Sequence, residues 1–144
     1  MPQAMATEIQ KQCETIEECY EFTLSFAARG LVSDQGSELR EQLMRAATAM
    51  RGLEQSCAEA IGEDQLALSG KDKADKYEAF FEVMIRDARS AVAAMELVLA
   101  QPTIGSQLID NLNASIHLRA LLADLFLVTE ILDMRQKAAQ RTGS

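Results

Sequence analysis

Apolar residues recur every three or four positions along most of the chain, the spacing that gathers them on one side of an α-helix. Ile9, Cys13, Ile16, Tyr20, Leu24 and Ala27 predict a first helix over about 7–29. Thr7 and Gln10 have the spacing of a capping box, in which each side chain satisfies the other's backbone donor, and Gly30 is a natural stop. Leu39, Leu43, Ala46, Met50, Leu53, Cys57 and Ala60 follow in alternating steps of four and three. They predict a second helix over 37–61, with Ser37 as its cap, Glu38 and Glu41 in its first turn and Gly62 at its end. The stretch 62–75 reads as the longest loop, with room for a short turn around Leu66 and Leu68. Tyr77, Phe81, Met84, Ala88, Ala91, Met95 and Val98 carry a third helix over 75–101, widened on its flanks by Phe80, Ile85, Val92 and Leu99. Pro102 closes it, because the residue before a proline is pushed out of the helical region. A fourth helix is expected over 105–140.

Four long helices with short connections predict an all-α fold, an antiparallel up-down-up-down four-helix bundle forming a single domain over 1–144. Composition points the same way. Aromatics are scarce at 5%, Trp is absent, and the only prolines are Pro2 and Pro102. Apolar residues at 48% suffice to bury a core without disulfides or metals. Leu43, Met50, Phe81, Met84, Leu121 and Leu125 are the expected core.

The fourth helix is more apolar than one bundle position needs. At about 100° per residue, Leu118, Leu121, Leu122, Leu125 and Leu132 fall within about 60° of the core direction. Phe126, Leu127, Val128 and Ile131 carry the apolar surface onward, leaving Arg119, Asp124 and Glu130 to meet water. Contiguous exposed apolar patches usually mark an interface, so these four residues are expected to face a second copy in a homo-oligomer, the alternative being that the 62–75 segment covers them within a monomer. Ala91 to Ala100 of the third helix, with Glu96 as its single charge, supports the idea.

Charge and chemistry narrow the function by exclusion. Twenty-two acidic residues against fourteen basic ones leave a net charge of −8, which repels phosphate backbones and argues against nucleic acid. The densest basic cluster, Arg135, Lys137 and Arg141, sits where it complements a helix C-terminus. Glu14, Glu17, Glu18 and Glu21 share one arc of the first helix, as a solvated face or as a strip for a basic partner protein. A carboxylate-bridged di-metal site needs Glu-x-x-His pairs, but the one histidine, His117, has Ala114 three residues before it. His117 also lacks the small neighbouring residue of a phosphotransfer histidine, and Met84, Met95 and Met134 read as gap-fillers rather than haem ligands. With no glycine-rich loop and no second histidine, no catalytic, cofactor-binding or metal-ligating residue is assigned, and no cofactor is expected. Cys13, Cys19 and Cys57 follow no zinc spacing and read as buried free thiols. Met1 to Tyr20 is polar and acidic, unlike a secretory signal, and the most apolar stretch, Leu118 to Leu132, is too short and too charged for a membrane. The expected setting is cytoplasmic, with no membrane contact.

Three short strings carry a family resemblance. Gln42-Leu43-Met44-Arg45-Ala46-Ala47 matches a Q-L-x-R-A-A signature, and Ser56-Cys57-Ala58-Glu59-Ala60-Ile61-Gly62 is a loose version of the alanine-glutamate pair and glycine that follow it. Tyr77, Phe80, Phe81 and Val83 resemble the aromatic-aliphatic opening of the same family's third helix. Over about 42–99 the chain thus resembles the small bundle proteins encoded in 23S-rRNA intervening sequences. Their proline-asparagine break after the alanine pair is missing here, and the spacing to Ala58-Glu59 is longer. The resemblance implies a ring-forming four-helix bundle, and an RNA association that the acidic charge opposes.

These readings favour a non-enzymatic, self-associating helical interaction or scaffold module. A small enzyme or cofactor carrier with a pocket between helices is the second reading, and an RNA-associated bundle the third. With one histidine and no ligand spacing, the purified protein should carry no stoichiometric iron, zinc, haem or flavin. Elemental analysis and an absorption spectrum check this, and a Soret band or one equivalent of metal would overturn it.

Overall fold

The computed structural model describes residues 3–61 and 71–142, which are all-helical with no strand among them. Five helices follow in order: α1 Gln3–Ala28, α2 Leu39–Ile61, α3 Lys71–Leu99, α4 Ser106–Ala114 and α5 Ile116–Thr142. The helix expected over 105–140 is therefore two. The chain breaks at Ser115, whose ψ of 131° leaves the helical region. The Ser115 N–H donates to the Leu112 carbonyl at 3.0 Å and closes α4. Its carbonyl accepts from the Arg119 N–H at 3.0 Å, and its Oγ accepts from the His117 N–H at 3.3 Å, which opens α5. A serine suits this position because its hydroxyl serves backbone groups that a helix end leaves unpaired.

Other boundaries shift as well. α1 starts at Gln3, so Thr7 and Gln10 lie inside the helix rather than capping it, and α3 starts at Lys71 rather than 75. Gly62 and the turn expected around Leu66 and Leu68 lie outside the described residues. Ser37 does cap α2: its Oγ accepts from the Leu39 N–H at 3.2 Å while its hydroxyl donates to the Asp34 carbonyl at 2.7 Å. Gly30 ends α1 at a φ of 65°, a conformation that side-chain-bearing residues rarely adopt.

Each helix turns one apolar stripe inward. Ile9, Cys13 and Ile16 of α1, Leu43, Met50 and Leu53 of α2, Phe81 and Met84 of α3, Ile109 of α4, and Leu121 and Leu125 of α5 are buried. Each large aliphatic or aromatic side chain so buried contributes roughly 1.5–3 kcal/mol. The closest packing joins α2 to α1 and α3, while α5 leans chiefly on α3 and α4 on α1. Leu24, expected in the core, is exposed, and Thr23 and Phe26 are buried instead. The Thr23 hydroxyl sits 2.9 Å from the Tyr20 carbonyl and 3.0 Å from Asn113 Oδ1, so it meets α4 with its polar needs met. Leu43, Ala46 and Ala47 of the Gln42–Ala47 string are buried, and serve packing. No helix of the described residues is long and apolar enough to cross a membrane.

The connection between α1 and α2 is clasped to the one between α3 and α4. Asp34 Oδ1 accepts from the Ile104 N–H at 2.9 Å, and its Oδ2 accepts from Arg40 Nε at 2.7 Å. The remaining Arg40 nitrogens donate to the carbonyls of Leu99 at 3.1 Å and Gln101 at 2.7 Å. Ser106 donates its N–H to the Leu31 carbonyl at 2.7 Å and its hydroxyl to the Phe26 carbonyl at 2.7 Å, while its Oγ accepts from the Leu31 N–H at 2.8 Å. At Gly105 an added Cβ would stand 3.1 Å from the carbonyl oxygens of Leu31 and Val32, so the two loops touch backbone to backbone.

Burial alone would push the Asp34 carboxyl up, but the Ile104 N–H and the Arg40 guanidinium outweigh it and hold it below the ordinary value. Asp34→Ala should destabilise the fold by about 2–3 kcal/mol at pH 7, because a backbone N–H and a guanidinium lose a charged acceptor. A carboxyl lowered in the folded state contributes stability above its unfolded pKa and loses it as pH falls through the folded value. The gap between wild type and variant in urea unfolding should therefore shrink towards pH 3, and a constant gap would show that the charge is immaterial.

Candidate functional site

The seam between α3 and α5 is where the protein's surface departs from an ordinary helical exterior. Tyr77 and Phe80 of α3 and Leu127 and Ile131 of α5 line a groove of about 200 Å³, with Phe81 and Val128 beneath and Lys73 and Lys76 at one end. The Tyr77 and Phe81 rings pack tilted, with centroids 6.1 Å apart. The Arg135 guanidinium lies 5.3 Å from the Tyr77 centroid, in cation–π range. Phe126 and Leu127 are 57% and 51% exposed, and Ile131 is half-buried. Val128 is a correction to the expected outward set, since it is 2% exposed. It lies seven residues from Leu121, so about 20° from it around the helix, and packs with the core. Ile116 and Met134, 75% and 58% exposed, extend the outward apolar surface along α5, and Leu97 adds to it from α3. Their signal in the sequence was direction: eighteen residues make five full turns, so Ile116 and Met134 point the same way.

Beneath this surface sits a carboxyl pair that the hydropathy pattern misjudged. Asp124, expected to meet water, turns towards α3, and its Oδ2 is shut off from solvent with no N–H or hydroxyl donor reaching it. What faces it is the Asp87 carboxyl. Burial first, then the hydrogen bond to Asp87 and the repulsion of its charge, push Asp124 up to about 8. Near neutral pH the Asp124 carboxyl therefore keeps its proton, which gives it a donor towards Asp87.

The remaining candidates lie apart from this seam. Glu14 and Glu17 line a cleft of about 480 Å³ between α1 and α5, together with Glu130 and Asp133, and the Gln136 amide donates to Gln10 Oε1 across it at 3.0 Å. Burial, then the charges of Glu14 and Glu21, raise the Glu17 carboxyl. Glu18 and Glu21 are exposed outside the cleft. Basic side chains are drawn into ion pairs, Arg40 with Asp34, Arg51 with Glu96, Lys76 with Asp72, Arg89 with Glu54 and Lys137 with Asp133. His117 is exposed in the first turn of α5. Cys13, Cys19 and Cys57 are free and buried, and burial pushes each thiol up to about 12, which suppresses the reactive thiolate. Beside Thr23 and Asn113 a cavity of about 10 Å³ has room for a single water. Among the described residues no three His, Cys, Asp or Glu gather so as to hold a metal ion. Comparison of the chain with known protein families, with characterised proteins and with solved structures found no match.

The carboxyl pair gives the α3–α5 seam a pH dependence of known sign. Asp124 binds its proton more tightly folded than unfolded, so its stabilisation is complete below about pH 4 and is lost as pH rises through about 8. Thermal or urea unfolding between pH 5 and 9 should show stability falling over that range. Asp124→Asn, which keeps a donor towards Asp87 without a titrating proton, should flatten the fall and be the more stable protein at pH 9. Equal slopes for the two proteins would remove the pair as the cause.

Proposed function

We propose that this chain is a non-enzymatic interaction module that associates with itself through the outward face of α3 and α5. The observation that carries the reading is where the exposed large apolar side chains fall. Of the eight among the described residues, Leu97 is on α3 and Ile116, Phe126, Leu127 and Met134 are on α5, against Leu24, Val32 and Met44 elsewhere. Apolar surface gathered in this way is characteristic of an interface.

The reading takes the architecture as an antiparallel up-down-up-down bundle in which α4 and α5 share the fourth position. It is supported by the order of partners across neighbouring helices. Between α2 and α3, Arg51 pairs with Glu96 while Glu54 pairs with Arg89. Between α3 and α5, Tyr77 meets Arg135 while Asp87 meets Asp124. The family that Gln42–Ala47 resembles implies ring formation, itself a mode of self-association. Three reduced, buried thiols suit a cytoplasmic setting. A second reading, a basic protein partner in the cleft of Glu14, Glu17, Glu130 and Asp133, is favoured by the acidic charge gathered there from two helices. An enzyme or cofactor carrier is less well supported, since the enclosed cavity beside Thr23 and Asn113 holds no more than a water.

Light scattering at micromolar concentration should report a dimer or larger species, and Leu127→Glu should shift it towards monomer. A monomeric wild-type protein over that range would overturn the self-association reading.

A further inference from the structure

The outermost stripe of α5 is built to meet its own copy. Ile116, Ala123, Leu127 and Met134 lie on the side of α5 opposite the core with Phe126 at its flank, and all are exposed. They recur at heptad-like steps of three, four and seven, over about 27 Å of helix. Two charges stand on the same stripe, Arg119 and Glu130, both exposed. They are eleven residues apart, about 16 Å along the helix, too far to pair with each other. Among the described residues neither belongs to an ion pair.

The stripe is self-complementary when reversed. About Leu125, Ile116 exchanges with Met134 and Ala123 with Leu127, while Arg119 with Glu130 and Ala123 with Phe126 fall within one residue of the same register. Large meets large at the ends, small meets large at the centre, and each positive charge meets a negative one. The geometry points to a two-fold dimer in which α5 packs antiparallel against α5 of a second copy, with Arg119 of each chain paired to Glu130 of the other. A parallel pairing would instead set Arg119 against Arg119 and Glu130 against Glu130, which repel. A two-fold interface uses one patch twice, so a single self-complementary stripe suffices. This rests on the self-association reading above and names its partner and direction.

Charge reversal tests the direction separately from the association. By sedimentation equilibrium, Arg119→Glu and Glu130→Arg should each weaken the dimer at least tenfold, since each places two like-charged pairs across the axis. The double variant R119E/E130R should return to within about threefold of wild type, because both pairs re-form with their signs exchanged. Both positions are exposed, and unchanged thermal melting of the diluted variants confirms folding. A wild-type dimer that neither single variant weakens, or that the double variant fails to restore, overturns the antiparallel α5 pairing while leaving self-association standing. A monomeric wild type overturns both.

Discussion

Apolar stripes on neighbouring helices are nearly uniform along their length, so hydrophobic burial by itself lets one helix slide past another at little cost. Directional bonds remove that freedom, and in this protein they converge on Asp34. Its two oxygens hold the Ile104 N–H and the Arg40 guanidinium, and Arg40 in turn holds the carbonyl of Leu99 at the end of α3 and that of Gln101 beyond it. Ser106 at the start of α4 then binds the Phe26 carbonyl in the last turns of α1. Asp34, Arg40 and Ser106 together thus tie the exit of α1, the entry of α2, the exit of α3 and the entry of α4 to a common level. Ile16, Met50 and Met95 meet around one small cavity in the core between these helices.

The helix least served by the clasp is α5. It enters from a break rather than from a loop, and it rests mainly on α3 through a seam that includes two carboxyl groups. One face of α5 fills the core with Leu121, Leu125, Val128 and Leu132. The opposite face keeps four large apolar side chains in water. By contrast α2, which packs on both sides, exposes only Met44 among its large apolar residues. The surface asymmetry therefore follows from packing: of the four long helices, the one least closely packed on its neighbours has the most apolar surface still unburied.

The acidic character of the protein is spread unevenly over this frame. Glu14 and Glu17 line one cleft with Glu130 and Asp133, and burial with the charges of Glu14 and Glu21 raises the Glu17 carboxyl, while basic side chains such as Arg40 and Arg89 pair with acids elsewhere. Like charges brought together in this way weaken the contact between α1 and α5 at low ionic strength, and salt relieves them. The α1–α5 contact is correspondingly slight beside those of α1 with α2 and α2 with α3.

Period and punctuation were legible from the residues alone. The three-and-four spacing placed Leu43, Met50, Phe81, Met84, Leu121 and Leu125 in the core, and Ser37, Gly30 and Pro102 marked helix ends, because these signals act through local backbone geometry. The outward direction of Phe126 and Leu127 was legible for the same reason. What depended on tertiary structure was everything set by a neighbouring helix. Val128 sits at the edge of the core arc, and only the presence of α3 there makes it buried. Asp124 carries the polarity of a surface residue, and only its burial opposite Asp87 turns it into a group that keeps its proton near neutral pH. Ser115 breaks a helix that hydropathy runs straight through, in a stretch where Asn113 turns inward to meet Thr23. Asp34 looks in sequence like one more turn residue, and becomes the hub of the fold only because the chain returns to it seventy residues later at Ile104.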